Sequence, residues 1–371
     1  MAGELFIGLM SGTSLDGVDV TLVEFNNTAL HDVQPPRVLH THFLAYPSAL
    51  RTEILALQHP TDNELETTAR MGNTLAQLYA EAVNQLLSAT KISPNSITAI
   101  GCHGQTIRHR PELGFTLQIG NPALLAELIG ITVVADFRSR DIAAGGQGAP
   151  LVPAFHKTLF AHQHLNRAII NIGGIANITH LARTGEVFGF DSGPGNMLLD
   201  TWVKQHLNLD YDANGAWAGS GKVIEPLLIS MLSEPYFTLP PPKSTGRDLF
   251  NASWLNAYLY NKNYQPHDVA RTLVALTAHS LHQALAQYCS DVDEIYLCGG
   301  GAKNSLLTQQ LAALLGNKKL TTTNELGIGI DWVEAVAFAW LARQCLNQKT
   351  ANLPEVTGAK GARILGAIYQ H

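Results

Sequence analysis

The sequence predicts an α/β protein of two domains, and three observations carry that expectation. A chain of 371 residues is longer than one hydrophobic core usually organises, so two cores are expected. Short apolar strands alternate with amphipathic helical stretches along most of its length. A strand, small-residue turn and second strand near the N-terminus return in the second half as a partial repeat. Two copies point to a duplicated domain rather than a solenoid.

The elements follow in order. Residues 4–9 and 18–25 read as strands joined by a Gly/Ser/Thr turn. Thr61 followed by Glu64 suits a capping box, ahead of a helix with Met71, Leu75, Leu78, Tyr79, Ala82, Val83 and Leu86 at helical spacing. Residues 97–102 form a buried strand that ends in the polar turn His103-Gly104-Gln105-Thr106. A helix over 122–129 and a strand over 132–135 come next. The Gly-rich segment 143–148 reads as a domain crossing or a loop lining a site. Strands at 168–171 and 177–181 flank the tight turn 172–176. A long helix spans 268–287, with Asp268 as its N-cap. Strand 294–297 runs into Gly299-Gly300-Gly301, an Ala-rich helix covers 332–346, and 363–369 reads equally as strand or helix. The domains are expected at 1–130, completed by the C-terminal segment 346–371, and at 131–345.

Composition narrows the function. A net charge of −6 gives no general attraction to polyanions, which argues against nucleic acid or an anionic membrane as partner. Cys102, Cys289, Cys298 and Cys345 show neither CxxC nor metal-ligand spacing and read as buried thiols in a reducing compartment. The first residues lack a secretory signal, and no apolar run approaches the roughly 20 residues that span a bilayer. A soluble, cytoplasmic protein is expected.

Six motifs carry candidate chemistry, each beside a plainer reading. In the turn from Gly8 to Asp19, glycines let backbone N–H groups approach a phosphate and hydroxyls add donors. Asp16 or Asp19 would hold Mg²⁺ through water; the alternative is a ligand-free hairpin. Asn171-Ile-Gly-Gly-Ile-Ala-Asn177 repeats that design, so Gly173, Gly174 and Asn177 join the nucleotide-binding set. Asp191, placed at the C-terminal edge of a strand before Gly193-Pro194-Gly195, is a candidate general base or a turn aspartate. Gly299, Gly300 and Gly301 would let a flat ring such as adenine lie on the backbone, or would form a crowded turn. Glu334, in the first turn of an apolar helix, either complements the helix dipole or faces a cleft. Arg138, in Asp136-Phe-Arg-Ser-Arg-Asp141, would clamp a carboxylate or phosphate or belong to a surface ion-pair cluster. Gly219-Ser-Gly-Lys-Val223 is not a P-loop, because Ala216 and Val223 occupy positions that need glycine and Ser/Thr. No HExxH or GxSxG is present. The residues alone lead to a two-domain nucleotide-binding protein, with a kinase among the options.

Several strings together resemble one family. Ile7-Gly-Leu-Met-Ser-Gly-Thr-Ser-Leu-Asp-Gly-Val-Asp19, Gly101-Cys-His-Gly-Gln-Thr106, Asp136-Phe-Arg138, Asn171-Ile-Gly-Gly-Ile-Ala-Asn-Ile-Thr179, Phe190-Asp-Ser-Gly-Pro-Gly-Asn196, Glu334-Ala-Val-Ala-Phe-Ala339 and Thr357-Gly-Ala359 are similar to anhydro-N-acetylmuramic acid kinases, in the same order. The resemblance implies two actin-like (ribonuclease H-like) domains flanking a cleft for ATP and Mg²⁺. It implies an ATP-dependent kinase acting on 1,6-anhydro-N-acetylmuramic acid in cell-wall recycling. Water would open the anhydro bridge and O6 would be phosphorylated, giving N-acetylmuramic acid 6-phosphate and ADP. By motif match Asp191 is the base and Glu334 a second acid, while Thr106 and Arg138 contact the sugar. Gly12, Thr13, Ser14, Leu15, Asp16, Gly17, Val18 and Asp19 form the ATP segment. Direct metal ligands stay unassigned, and a homodimer is implied. The alternative reading is an Hsp70- or actin-like ATP-gated binding module without sugar chemistry.

Overall fold

The run of residues 6–10 is buried without a break because its strand, Glu4–Met10 (β1), lies inside a sheet rather than at its edge. Gly17–Phe25 (β2) pairs antiparallel with β1, and Arg37–Ala45 (β3) pairs antiparallel with β2. On the other side of β1, Ile97–Cys102 (β4) adds in parallel. Gln105–Arg110 (β5) and Phe115–Ile119 (β6) form a separate hairpin. Val133–Ala135 (β7) then pairs in parallel with β4, and the C-terminal strand Ala367–Tyr369 closes the edge antiparallel to β7. The computed structural model describes residues 3–12, 14–26, 35–60 and 62–371.

The same topology occurs a second time. Arg167–Ile172 (β8), Ile175–Leu181 (β9) and Val187–Pro194 (β10) form an antiparallel meander. Glu294–Cys298 (β11) and Lys319–Thr322 (β12) then add in parallel beyond β8. Each sheet is therefore a three-strand meander whose first strand is extended by two parallel strands, the duplication that the repeat in the sequence predicts. The fold is α/β, built from two units of this shared sheet topology.

One compact unit comprises Met1–Leu159 with Trp332–His371, and the other Phe160–Asp331. These limits differ from 130/131 and 345/346 for a physical reason. β7 takes its partner from β4, and helix Val333–Leu346 packs on β1 and β4, so both belong with the first sheet. The Gly-rich segment 143–148 consequently lies inside the first unit. Three other details differ from the sequence reading. The helix expected from 268 begins at Pro266 after an N-cap at Gln265, since proline's fixed φ suits the first helical position; Asp268 instead accepts from Lys222 N–H at 2.7 Å. The polar turn after β4 continues as β5. The edge strand β3 carries no fully buried residue, so its sequence lacks the apolar signal of the central strands. Thr61 lies outside the described residues; the helix Glu64–Thr90 follows Asn63, at φ 54°.

Two glycines set how closely a helix can lie on the first sheet. A Cβ on Gly8 would overlap the carbonyl of Ala335, and one on Gly101 the carbonyl of Phe338. Helix Val333–Leu346 therefore rests backbone to backbone on β1 and β4, and its alanines are buried. Gly72, in the helix Glu64–Thr90, has no neighbour nearer than 3.7 Å to such a Cβ. The same substitution should thus have opposite signs. Gly8→Ala and Gly101→Ala should each destabilise the fold by about 1–3 kcal/mol through overpacking. Gly72→Ala should stabilise it by about 0.5–1 kcal/mol through helix propensity. Urea unfolding of the three variants checks this; equal effects at the three positions would contradict it.

Candidate active site

In the second unit Asp191 lies in β10 opposite Asn177 of β9, which in turn faces Asn171 of β8. The three polar side chains form a row across the sheet. β10 runs on to Pro194, with a bulge between Asp191 and Gly193, so Asp191 sits within an edge strand rather than at its C-terminal limit. A segment distant in sequence folds over it. Thr245 N–H donates to Asp191 Oδ2 at 3.0 Å, Asp191 N–H donates to Lys243 O at 3.1 Å, and Tyr236 O–H donates to Asp191 O at 2.7 Å. Lys243 Nζ stands 4.8 Å from the centre of the Tyr236 ring. Burial raises the Asp191 carboxyl to about 6, opposed by the Thr245 N–H and the Lys243 ammonium. A carboxyl that titrates near neutrality is suited to general-base work.

Three glycine motifs meet beside that row. Gly195 and Met197 N–H donate to Gly174 O at 2.9 and 3.2 Å, and Asn196 N–H donates to Gly173 O at 2.8 Å. A Cβ on Gly195 would collide with the Gly173 carbonyl. Gly299 and Gly301 pack against Asn171, Ile172 and Asn196 so tightly that the protein's own crowding accounts for both glycines. Gly173, Gly174 and Gly300 have no neighbour closer than 3.6 Å to an added Cβ, which leaves room for a ligand. Asp331, in the motif that contains Glu334, pairs instead with Lys303 at 2.8 Å in this unit.

The first unit assembles its own constellation. Of the turn between β1 and β2, Leu15 and Val18 are core residues, and Gly17 is crowded by Leu44 O and the Phe43 ring. Gly12, Ser14 and Asp16 remain at the surface, with Ser14 Oγ donating to Asp16 Oδ1 at 2.6 Å. Asp19 is partly buried in β2 opposite Met10, and Thr13 lies outside the described residues. Arg138 is no surface ion-pair residue. Its Nη1–H donates to Gly148 O at 2.9 Å, and its Nη2 and Nε donate to His103 Nε2 at 2.9 and 3.3 Å. The fully buried Asp141 fixes that loop by accepting from Gly148 N–H, Asn352 Nδ2 and Thr357 Oγ1 at 2.6–2.8 Å. Burial lowers Arg138 to about 10 against the pull of Glu334 and Asp141. Burial raises the Glu334 carboxyl, and the Arg138 charge opposes the rise. Thr106 Oγ1 accepts from Gln118 Nε2 at 3.1 Å across the β5–β6 hairpin.

A cavity of about 260 Å³ beside this cluster is lined by His103, Gly104, Gln118 and Asp136 among others. A larger one, about 390 Å³, lies toward the opposite end of β9 around His180 and Tyr288 and contains none of the predicted site residues. His103, Gln118, Tyr236, Lys243 and Thr245 escaped the sequence reading. Only the Gly/Ser/Thr-containing run 243–246 after three prolines offered a signal for the last two.

The family profile described as anhydro-N-acetylmuramic acid kinase matches residues 4–371. The protein of that name from Nitrosospira multiformis is 51% identical over 371 residues, covering 100% of both chains. Those from Nitrosomonas europaea and Coxiella burnetii are 52% and 50% identical, covering 98% and 100% of this chain and 99% and 98% of their own lengths.

The chain belongs to the anhydro-N-acetylmuramic acid kinase family.

Membership bears out the expected enzyme class, a kinase, and leaves the ATP-gated binding module without support. Among the described residues no helix is long and apolar enough to cross a membrane, and all four cysteines are buried and outside any disulfide.

As a member of an anhydro-N-acetylmuramic acid kinase family the protein keeps Asp191 at a cost in stability. Its folded carboxyl titrates above the ordinary aspartate value, so the folded state favours the protonated form. That contribution is fully present below the unfolded pKa and is lost as pH rises through about 6. At pH 8 Asp191→Asn should therefore be more stable than the native chain by about 1–3 kcal/mol, with the difference shrinking toward zero as pH falls to about 4. Denaturant unfolding at several pH values checks the sign; a variant less stable at pH 8 would refute it.

Proposed function

We propose that the protein is an ATP-dependent kinase that opens the 1,6-anhydro ring of 1,6-anhydro-N-acetylmuramic acid with water and phosphorylates O6. The observation that supports this reading best is Asp191, a carboxyl brought to about 6 by burial in a chain of this family. As base, Asp191 takes a proton from the water that attacks C1. The C1–O6 bond breaks, O6 forms a bond to the γ-phosphorus of ATP, and ADP leaves with the electron pair of the cleaved phosphoanhydride. The products are N-acetylmuramic acid 6-phosphate and ADP, and the proton on Asp191 returns to solvent.

Arg138 supplies a fixed guanidinium for the sugar's lactyl carboxylate, Thr106 a positioned hydroxyl, and Glu334 a second acid beside Arg138. The uncrowded glycines Gly12, Gly173, Gly174 and Gly300 suit close approach by the phosphates and adenine of ATP. Asp16 and Asp19 are hard oxygen donors of the kind Mg²⁺ takes, directly or through water, and the ion would supply charge neutralisation at the phosphates.

Incubation with ATP, Mg²⁺ and the anhydro sugar in ¹⁸O-water, followed by mass spectrometry, tests the proposal. The expected product is a 6-phosphorylated sugar with one ¹⁸O at C1, formed one-for-one with ADP. A phosphorylated sugar free of ¹⁸O would mean an ordinary small-molecule kinase; intact ATP and sugar would remove the substrate assignment.

A further inference from the structure

His103 follows β4 with its ring 4.7 Å from that of Phe338, and only 6% of its surface is exposed. Its Nδ1 lies 3.1 Å from Ser11 O. A carbonyl can only accept, so Nδ1 carries the proton and Nε2 is left as a bare acceptor for Arg138. Burial and the neighbouring guanidinium push the imidazole down to about 3, so this arrangement is the same at any physiological pH. Of the five N–H groups on a guanidinium, Arg138 gives Nε and one of Nη2 to His103 and one of Nη1 to Gly148. Among the described residues one N–H on each Nη remains uncommitted, a number that matches the two oxygens of a carboxylate. Ser11 opens the glycine turn, and its neighbour Gly12 accepts from Gln105 Nε2 at 3.2 Å. The same short segment after β4 thus braces both that turn and Arg138.

We propose that His103 is a positioning residue for carboxylate recognition: it orients Arg138 as a neutral acceptor and so adds no negative charge of its own to those of Glu334 and Asp141 that already face the guanidinium meant for the acid group of the sugar. An Asp or Glu in that place would hold the guanidinium equally well while neutralising it. The proposal rests on the kinase reading above for the identity of the sugar, and on geometry alone for the Arg138 contact.

The test compares His103→Gln, His103→Leu and His103→Glu with the native chain. It uses the anhydro sugar and the same sugar without its lactyl group, measuring KM for each and for ATP. With the acid sugar, His103→Leu should raise KM about tenfold or more, equivalent to losing one charge-assisted contact. His103→Glu should raise it further, and His103→Gln, which keeps a neutral acceptor, should recover most of the affinity. With the sugar that lacks the carboxylate the four proteins should agree within about threefold, and KM for ATP should change little. A His103→Leu protein that matches the native chain on the acid sugar would overturn the proposal, as would equal losses on both sugars. Should the native protein bind neither sugar, the substrate assignment falls. The ¹⁵Nε–H signal of Arg138 then decides the positioning role: protection from exchange in the native and Gln proteins but not in the Leu variant upholds it, and equal exchange in all three overturns it.

Discussion

Backbone-to-backbone contact at a few glycines is the constraint on which the rest of the structure depends. Gly8 and Gly101 let helix Val333–Leu346 rest directly on β1 and β4, and Gly195 lets the turn after β10 dock on the turn between β8 and β9. Any side chain at these points would hold the elements apart. The contacts in turn fix where the candidate site groups stand. Glu334 begins the helix that Gly8 and Gly101 admit, with Phe338 one turn further on against His103. Asn196 follows the glycine that docks the second turn.

Close packing also removes water, and the electrostatics of both constellations follow from that removal. Desolvation disfavours whichever form is charged. It raises Asp191 and Glu334, holds His103 neutral and brings Arg138 down. The two carboxyl shifts are opposed by specific partners: Thr245 and Lys243 for Asp191, Arg138 for Glu334. The outcome is a carboxyl close to neutrality in one unit, and in the other a charged guanidinium whose imidazole acceptor adds no negative charge beside it.

Much of the fold was legible in the sequence because its central strands are buried on both faces. β1, β4 and β11 read as apolar runs bounded by turns, and the duplicated strand-turn-strand was visible in its small-residue turns. β3 was not, since an edge strand with partly exposed residues lacks that pattern. Asp191, Glu334, Arg138 and the glycines stood out as motif positions. The groups that tune them did not. Lys243 and Thr245 reach Asp191 from more than fifty residues away, and Asp141 meets Asn352 and Thr357 across two hundred. Such partnerships are products of tertiary folding. His103 stood in the sequence only as part of a polar turn, and its two ring nitrogens in place reveal what it holds.

The central claim is that burial makes Asp191 a base near neutrality, and the pH dependence of kcat/KM for the anhydro sugar tests it most directly. The account predicts an acid limb of unit slope with its midpoint near 6, moving to higher pH in Lys243→Met because the opposing positive charge is gone. A limb near the ordinary aspartate value of about 4, or one that Lys243→Met leaves in place, would contradict it.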